Sequence, residues 1–273
     1  MGLRQLSNNR IQLMGILNVT PDSFSDGGEF YQPEIALTKV KSMIDKGAQI
    51  IDIGAQSTRP GAEEVGAKVE LKRLLPVLNA IRSIYPEVII SVDTFHAEVA
   101  EATLEKGANW INDVSGGRRD SALLRLVAEA GCPYILTHSR GNSKNMDQLA
   151  NYHNIGMEVK SEMLIATERA IAAGLNTSQI IWDPGLGFSK STSQVVVLIR
   201  SLTALCAEGF PLLIGPSRKR FIGEILNISK PKDRISGTIS VICHAISAGI
   251  SIVRVHDIGP IAEIIKMSDV LLC

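Results

Sequence analysis

Six residues, widely separated in the chain, carry two complementary kinds of chemistry. Asp93, Asn112 and Asp183 each close a short apolar run and offer two carboxylates and an amide. A carboxylate accepts two hydrogen bonds side by side, so this trio suits a flat heterocycle with an N–H and amino edge. Lys219, Arg254 and His256 follow two later apolar runs and are donors, suited to phosphate oxygens. A ligand with a polar ring at one end and phosphate at the other is the natural inference. Asn18, Asp52, Asp113 and His138 stand at the ends of the remaining runs. The alternative for any one of these groups is a local salt bridge. Asp52 and Asp113 are the members expected to be structural.

These residues need a scaffold that brings strand ends together. From Gly47 onward one unit recurs: a helix-like stretch ends in Gly, a short apolar run follows, and a polar residue ends the run. Lys46-Gly47 before Ile50-Ile51-Asp52, and Ala173-Gly174 before Ile180-Ile181-Trp182-Asp183, are two instances. Gly is favoured just past a helix because it takes φ > 0 without a Cβ clash. Continuous apolar runs suit strands buried on both faces. With runs at 11–17 and 88–92 the count is eight strands. Helices are predicted over 34–46, 69–84, 97–106, 121–130, 157–173, 194–208 and 234–248. Strand–helix alternation demands crossovers and a parallel sheet. The expectation is an α/β protein, a (β/α)8 TIM barrel forming a single domain over residues 1–273. In such barrels the active site is built at the C-terminal strand ends, with phosphate after strands seven and eight. The competing architecture is an open Rossmann-like sheet. Its Gly-x-Gly-x-x-Gly signature would follow the first strand, where this chain reads Asn18-Val19-Thr20-Pro21-Asp22. The longest irregular stretches, 18–32, 55–68 and 138–154, all follow strands, and long loops of this kind are often functional.

The chain has 273 residues, 28 basic and 28 acidic, so its net charge is zero. With no basic block, a nucleic-acid partner and a polybasic membrane anchor are not expected. No apolar run approaches the ~20 residues that span a bilayer, and residues 1–10 are polar, unlike a signal peptide. The four cysteines are scattered, as in a reduced cytoplasmic protein. His96 and His244 fall on predicted helices as packing or surface residues. Trp110 and Trp182 read as packing. The apolar stripe of Ile239, Val241, Ile242, Ile246, Ile261, Ile264 and Ile265 reads as core, with part of it open to use as a dimer face.

Several segments resemble the dihydropteroate synthase family, and the resemblance covers nearly the whole chain. They are Asn18-Val19-Thr20-Pro21-Asp22-Ser23-Phe24-Ser25-Asp26-Gly27-Gly28, Ser57-Thr58-Arg59-Pro60-Gly61, Asp183-Pro184-Gly185-Leu186-Gly187-Phe188, Ser217-Arg218-Lys219 and Arg254-Val255-His256-Asp257. Their order, each after its own strand, makes the set specific. The resemblance implies that 7,8-dihydropterin-6-ylmethyl diphosphate is joined to 4-aminobenzoate. It puts the pterin on Asp93, Asn112, Asp183 and Lys219, with Thr58 also touching substrate. It puts the diphosphate on Arg254 and His256, and Mg2+ on Asn18. It puts 4-aminobenzoate among Phe24, Pro60, Ser217 and Arg220, between the first, second and seventh loops. An SN1-type reaction follows, with Asp26 near the cation and Lys219 and Arg254 in catalytic roles. Family members are commonly homodimers.

Three positions depart from the usual pattern: Ser139 after His138 where Met is common, Gln56 for a Glu, and Arg220 where Ser is frequent. If Arg220 faces the pocket it pairs with the 4-aminobenzoate carboxylate. If it faces solvent, only backbone at that helix start meets the anion. Two other readings are a barrel methyltransferase that takes a methyl group from a folate, and a catalytically silent pterin-binding paralogue. The first gives no reason for the cationic cluster. The second is expected to have lost Asn18, the first-loop motif or Arg254, all of which are present.

Overall fold

Parity along the strands decides which side chains reach the interior. The computed structural model describes residues 10–20, 32–57 and 61–272. The strands are β1 (Gln12–Asn18), β2 (Ile50–Gly54), β3 (Ile89–Asp93), β4 (Trp110–Asp113), β5 (Tyr134–Thr137), β6 (Ile180–Asp183), β7 (Leu213–Ile214) and β8 (Ile252–Val255). All pairings are parallel, in the order β6-β5-β4-β3-β2-β1-β8-β7. A parallel bridge between Trp182 and Leu212, with Trp182 N–H donating to the Pro211 carbonyl at 2.9 Å, joins the two ends and closes the barrel.

The helices are α1 (Gln32–Asp45), α2 (Ala67–Ile84), α3 (Ala97–Glu105), α4 (Ser121–Ala130), α5 (Ile155–Ala172), α6 (Thr192–Arg200), α7 (Leu202–Cys206), α8 (Arg220–Leu226), α9 (Ile235–Ser247) and α10 (Ile258–Leu272). The glycines of the repeating unit, Gly47, Gly107, Gly131, Gly174, Gly209 and Gly249, all have positive φ, so the reading of helix ends holds. Two features differ from the sequence expectation. The helix expected over 194–208 is broken at Ser201, whose ψ of 0° takes it out of helical geometry. Of α8 only the start at Arg220 was foreseen and not the extent, because it is only seven residues long and has no full amphipathic period.

Buried side chains form two groups. Met14, Ile50, Trp110, Ile135, Ile181, Leu213 and Ile252 fill the barrel interior. Their strand neighbours, such as Ile51, Ile111, Tyr134, Trp182 and Val253, pack outward on the helices. Side chains on a strand alternate faces, so the residue two places on points the same way. Two residues past Ile50, Trp110, Ile181 and Ile252 stand Asp52, Asn112, Asp183 and Arg254. The sequence that plugs the barrel with apolar groups thereby puts polar ones at its C-terminal mouth. Register aligns them: Asn18 opposes Gly54, Gly54 opposes Asp93, and Asp93 opposes Asn112.

Trp182 is fully buried, stacked on Phe210 at 4.7 Å, with Nε1–H donating to Thr167. Ile242, Ile246, Ile261 and Ile265 are buried in the core, and Ile239, Val241 and Ile264 are partly buried against it.

Candidate functional site

Arg254 ties the mouth together. Its Nε donates to Asp52 Oδ2 at 2.6 Å and its guanidinium donates to Asp93 Oδ2 at 2.9 Å. Asn112 Nδ2 donates to the same Asp52 oxygen at 3.2 Å. Asp93, Asn112 and Arg254, which read as parts of separate subsets in the sequence, are thus joined through Asp52 in one hydrogen-bonded network. Asp52 is wholly buried beneath it and braces Arg254, the structural role expected of it. Asp113 is structural as well: it accepts from Tyr134 Oη at 2.6 Å and from the Ser115 and Gly117 backbones.

Asp183 enters from β6. Its Oδ1 accepts the Gly185 N–H at 2.7 Å. Gly185 has φ +66°, and a Cβ there would lie 1.9 Å from the His138 carbonyl oxygen, so only glycine fits this turn. Phe188, in the same loop, lies under Lys219, whose Nζ is 4.3 Å from the ring centroid. Lys219 is held from behind, since Arg234 donates to the Arg218 and Lys219 carbonyls and Arg218 is paired with Asp257. Ser217 Oγ accepts the His256 backbone N–H at 3.2 Å and lies 3.0 Å from His256 Nδ1. That leaves the hydroxyl proton for Nδ1 and favours the tautomer with its N–H on Nε2.

Burial shapes the charges. It pushes Asp93 up from the ordinary carboxylate range; Arg254 opposes the shift, while Asp52 and Asp113 add to it. Asp183 is raised by burial too. Burial draws Lys219 down to about 8, with Asp183 resisting and Arg254 assisting. His256 falls to about 3, first through burial and then through Arg218 and Arg254, so it is neutral at pH 7 and donates a single N–H.

A cleft beside this cup is lined by Gln56, Ser57, Phe95, Val114, Ser139, Met146 and Phe188, from the loops after β2 to β6. Ser143 fastens the second loop to the fifth by donating to the Ala62 carbonyl at 2.7 Å and accepting from Gly61 N–H through its own carbonyl. Gln56, the departure from Glu, accepts the Val65 N–H at 2.8 Å and so closes the second loop without a charge. Ser139 accepts from Arg118 at 2.6 Å and donates to the Val114 carbonyl at 2.8 Å.

The structure thus brings Asp93, Asn112, Asp183, Lys219, Arg254, Ser217 and His256 to one mouth, with Asn18 at the end of β1. Arg220 is left open by the sequence between the 4-aminobenzoate pocket and solvent. Its side chain is 56% exposed and reaches Asp147 and Glu224, each at 3.4 Å, so it faces the surface. Phe24, Asp26, Thr58 and Pro60 lie outside the described residues. Reading by residue type missed Lys190, which is buried behind the sixth-strand loop, and gave no role to Phe188. A lone Lys in a polar run carries no signal of its own.

The fold and site define an α/β barrel with a polar and cationic cup at its C-terminal mouth. Known proteins agree. The profile described as pterin binding enzyme matches residues 14–256. A dihydropteroate synthase of Synechocystis is 47% identical over 96% of this chain and 90% of its own length. A bifunctional folate synthesis protein of Pisum sativum is 42% identical, and this chain spans 54% of it. The solved Xanthomonas albilineans dihydropteroate synthase with 4-aminobenzoic acid is 36% identical, with a TM-score of 0.91 over 98% of this chain and 94% of that one. The chain belongs to the pterin-binding enzyme family and, within it, to the dihydropteroate synthases, transferases of folate synthesis.

Proposed function

We propose that this chain condenses 7,8-dihydropterin-6-ylmethyl diphosphate with 4-aminobenzoate, giving 7,8-dihydropteroate and diphosphate. The observation that carries the reading is the convergence at one barrel mouth of the bonded Asp93, Asn112 and Arg254 with Asp183 and Lys219, which couple to them electrostatically. The 4-aminobenzoic acid in the related Xanthomonas structure supports the second substrate.

In this scheme Asp93 and Asp183 accept the N–H and amino edge of the pterin, while Asn112 and Lys219 complete its hydrogen bonds. Arg254 and the Nε2–H of His256 receive the diphosphate. The bond between the exocyclic carbon and diphosphate oxygen breaks, and its electron pair leaves with diphosphate. Fixed donors aimed at that growing charge lower the barrier without reorganising. The electron-rich pterin carries the positive charge, the nitrogen lone pair of 4-aminobenzoate forms the new C–N bond, and the amine's proton passes to the released diphosphate or to water. No protein nucleophile is needed. Asp26 near the cation, Thr58 on the substrate, and Phe24, Pro60 and Ser217 around 4-aminobenzoate belong to the same proposal.

The donor set fits Mg2+ as its cofactor. Among the described residues no three His, Cys, Asp or Glu side chains cluster as a metal cage. Mg2+ commonly takes only one or two protein oxygens and completes its shell with phosphate and water. Asn18 would hold it; a Cβ on Gly54 would lie 3.8 Å from Asn18 Oδ1 and 3.7 Å from Asp93 Oδ2, so the missing side chain keeps this corner open. When bound, the ion would offset charge on the diphosphate.

A homodimer is the proposed assembly, supported by exposed Val197 on α6 and exposed Ile225 and Leu226 on the neighbouring α8. No helix among the described residues is long and apolar enough to cross a membrane.

The test is diphosphate release. Mixing both substrates with Mg2+ should release diphosphate in step with dihydropteroate, and omitting 4-aminobenzoate should suppress the product. Thermal stabilisation by the pterin without turnover would establish the silent paralogue instead. Methyl transfer from a folate without diphosphate release would establish the methyltransferase.

A further inference from the structure

Lys190 is only 2% exposed, yet its Nζ meets nothing but acceptors. His138 Nδ1 lies at 2.9 Å, the Phe188 carbonyl at 3.0 Å, the Gly185 carbonyl at 3.1 Å and the His138 carbonyl at 3.4 Å. An ammonium has three donors and no acceptor, so it suits this cage, whereas a neutral amine would turn a lone pair toward one of them. The tautomer of His138 follows: Nδ1 accepts from Lys190 and Nε2–H donates to Glu162 Oε2 at 3.0 Å. Burial lowers His138 to about 4, so the imidazole stays neutral. Glu162 is held in turn by Arg140 Nε at 3.1 Å. Burial draws Lys190 down to about 7, with Asp183 and Glu162 resisting, and the acceptor cage favours its ammonium form; that amine, a neutral ring and an anion run in sequence from the inside outward.

What this chain of groups fastens is the loop between β6 and α6. That loop passes through left-handed backbone at Gly185, Gly187 and Ser189, with φ of 66°, 85° and 47°. A non-glycine residue in that region persists only when its surroundings hold it. Lys190 clamps the carbonyls of Gly185 and Phe188 to the end of β5. The Gly185 N–H positions the Asp183 carboxylate, and the Phe188 ring supports Lys219.

We propose that Lys190, oriented through His138 and Glu162, is a positioning residue that sets the half of the cup receiving the pterin ring. This rests on the assignment of Asp183 to the pterin. Lys190 touches no substrate; it acts through Asp183 and Phe188.

The test is titration of the full chain with 7,8-dihydropterin-6-ylmethyl diphosphate, alongside steady-state kinetics and melting. Lys190→Met should raise the Kd and KM for the pterin by about tenfold, the scale of a lost charge-assisted hydrogen bond. The KM for 4-aminobenzoate should hardly move. His138→Leu should weaken pterin binding more than His138→Gln, whose amide can accept from Lys190 and donate to Glu162. If Lys190→Met does not fold, that His138 ordering decides. Wild-type pterin affinity in Lys190→Met overturns the proposal. So does a lowered active fraction with unchanged Kd, or equal effects of the two His138 variants. Asp183→Asn separates the layers: if it binds the pterin normally, the pterin assignment itself fails. If it loses binding while Lys190→Met keeps it, only the role of Lys190 fails.

Discussion

Asp52→Asn and Asp52→Ala form a graded test of the brace beneath Arg254. Asp52 Oδ2 takes Arg254 Nε at 2.6 Å and Asn112 Nδ2 at 3.2 Å, while Oδ1 is buried with no hydrogen-bond partner among the described residues. Asparagine keeps the shape and leaves one unmet polar atom in place of another. It loses the charge, and bonds to a charged group are worth about 1.5–3 kcal/mol against about 0.5–1.5 for neutral ones. Asp52→Asn should therefore cost about 1–2 kcal/mol. Asp52→Ala leaves Arg254 on Asp93 alone and strips Asn112 of its acceptor. Removing one partner of a buried ion pair costs about 3–5 kcal/mol. At about 2–4 °C per kcal/mol for a chain approaching this size, the melting temperature should fall modestly for Asn and by about 6–20 °C for Ala. Both variants should lose kcat/KM as Arg254 loses its fixed position, by about tenfold or more for Ala. Thermal unfolding followed by circular dichroism gives the first quantity and diphosphate release the second. An Asp52→Ala protein that melts with the parent and keeps its kcat/KM would refute the brace.

Lys219 is drawn down to about 8, so an activity that needs its ammonium should fall as pH rises through that value. Lys219→Arg, if it retains activity, should move this alkaline limb upward, because guanidinium stays charged throughout; an unmoved limb would assign it to another group. Deleting residues 22–28 should abolish turnover while pterin binding, measured by titration, stays nearly intact; normal turnover would remove the first loop from the reaction. Arg220→Ala should leave kcat/KM and the KM for 4-aminobenzoate within about twofold, since exposed ion pairs contribute about 0–1 kcal/mol. A tenfold rise in that KM would return the side chain to the pocket.

Much of the barrel was legible because it repeats. The glycine after each helix and the continuous apolar run mark a buried parallel strand, and eight such runs leave few other closures. The mouth was legible for the same reason, since Asp93, Asn112, Asp183 and Arg254 end runs whose parity is strict. What the sequence hid depends on partners far away in the chain. Arg254 meets Asp52 across 202 positions, and nothing local tells that a cation expected on phosphate is also held by two carboxylates. Lys190 looks like an ordinary polar residue between Ser189 and Ser191, and only the closed loop shows it buried. Arg220 reaches Asp147 across 73 positions, and no local pattern shows that pairing.

The central claim is that one cup takes both ends of one substrate, and a crystal structure of this chain soaked with the pterin and diphosphate tests it in a single map. The account predicts the ring edge against Asp93, Asn112 and Asp183 and the phosphates beside Arg254, His256 and Asn18. Ligand density on any other surface, with that cup filled only by solvent, would contradict it.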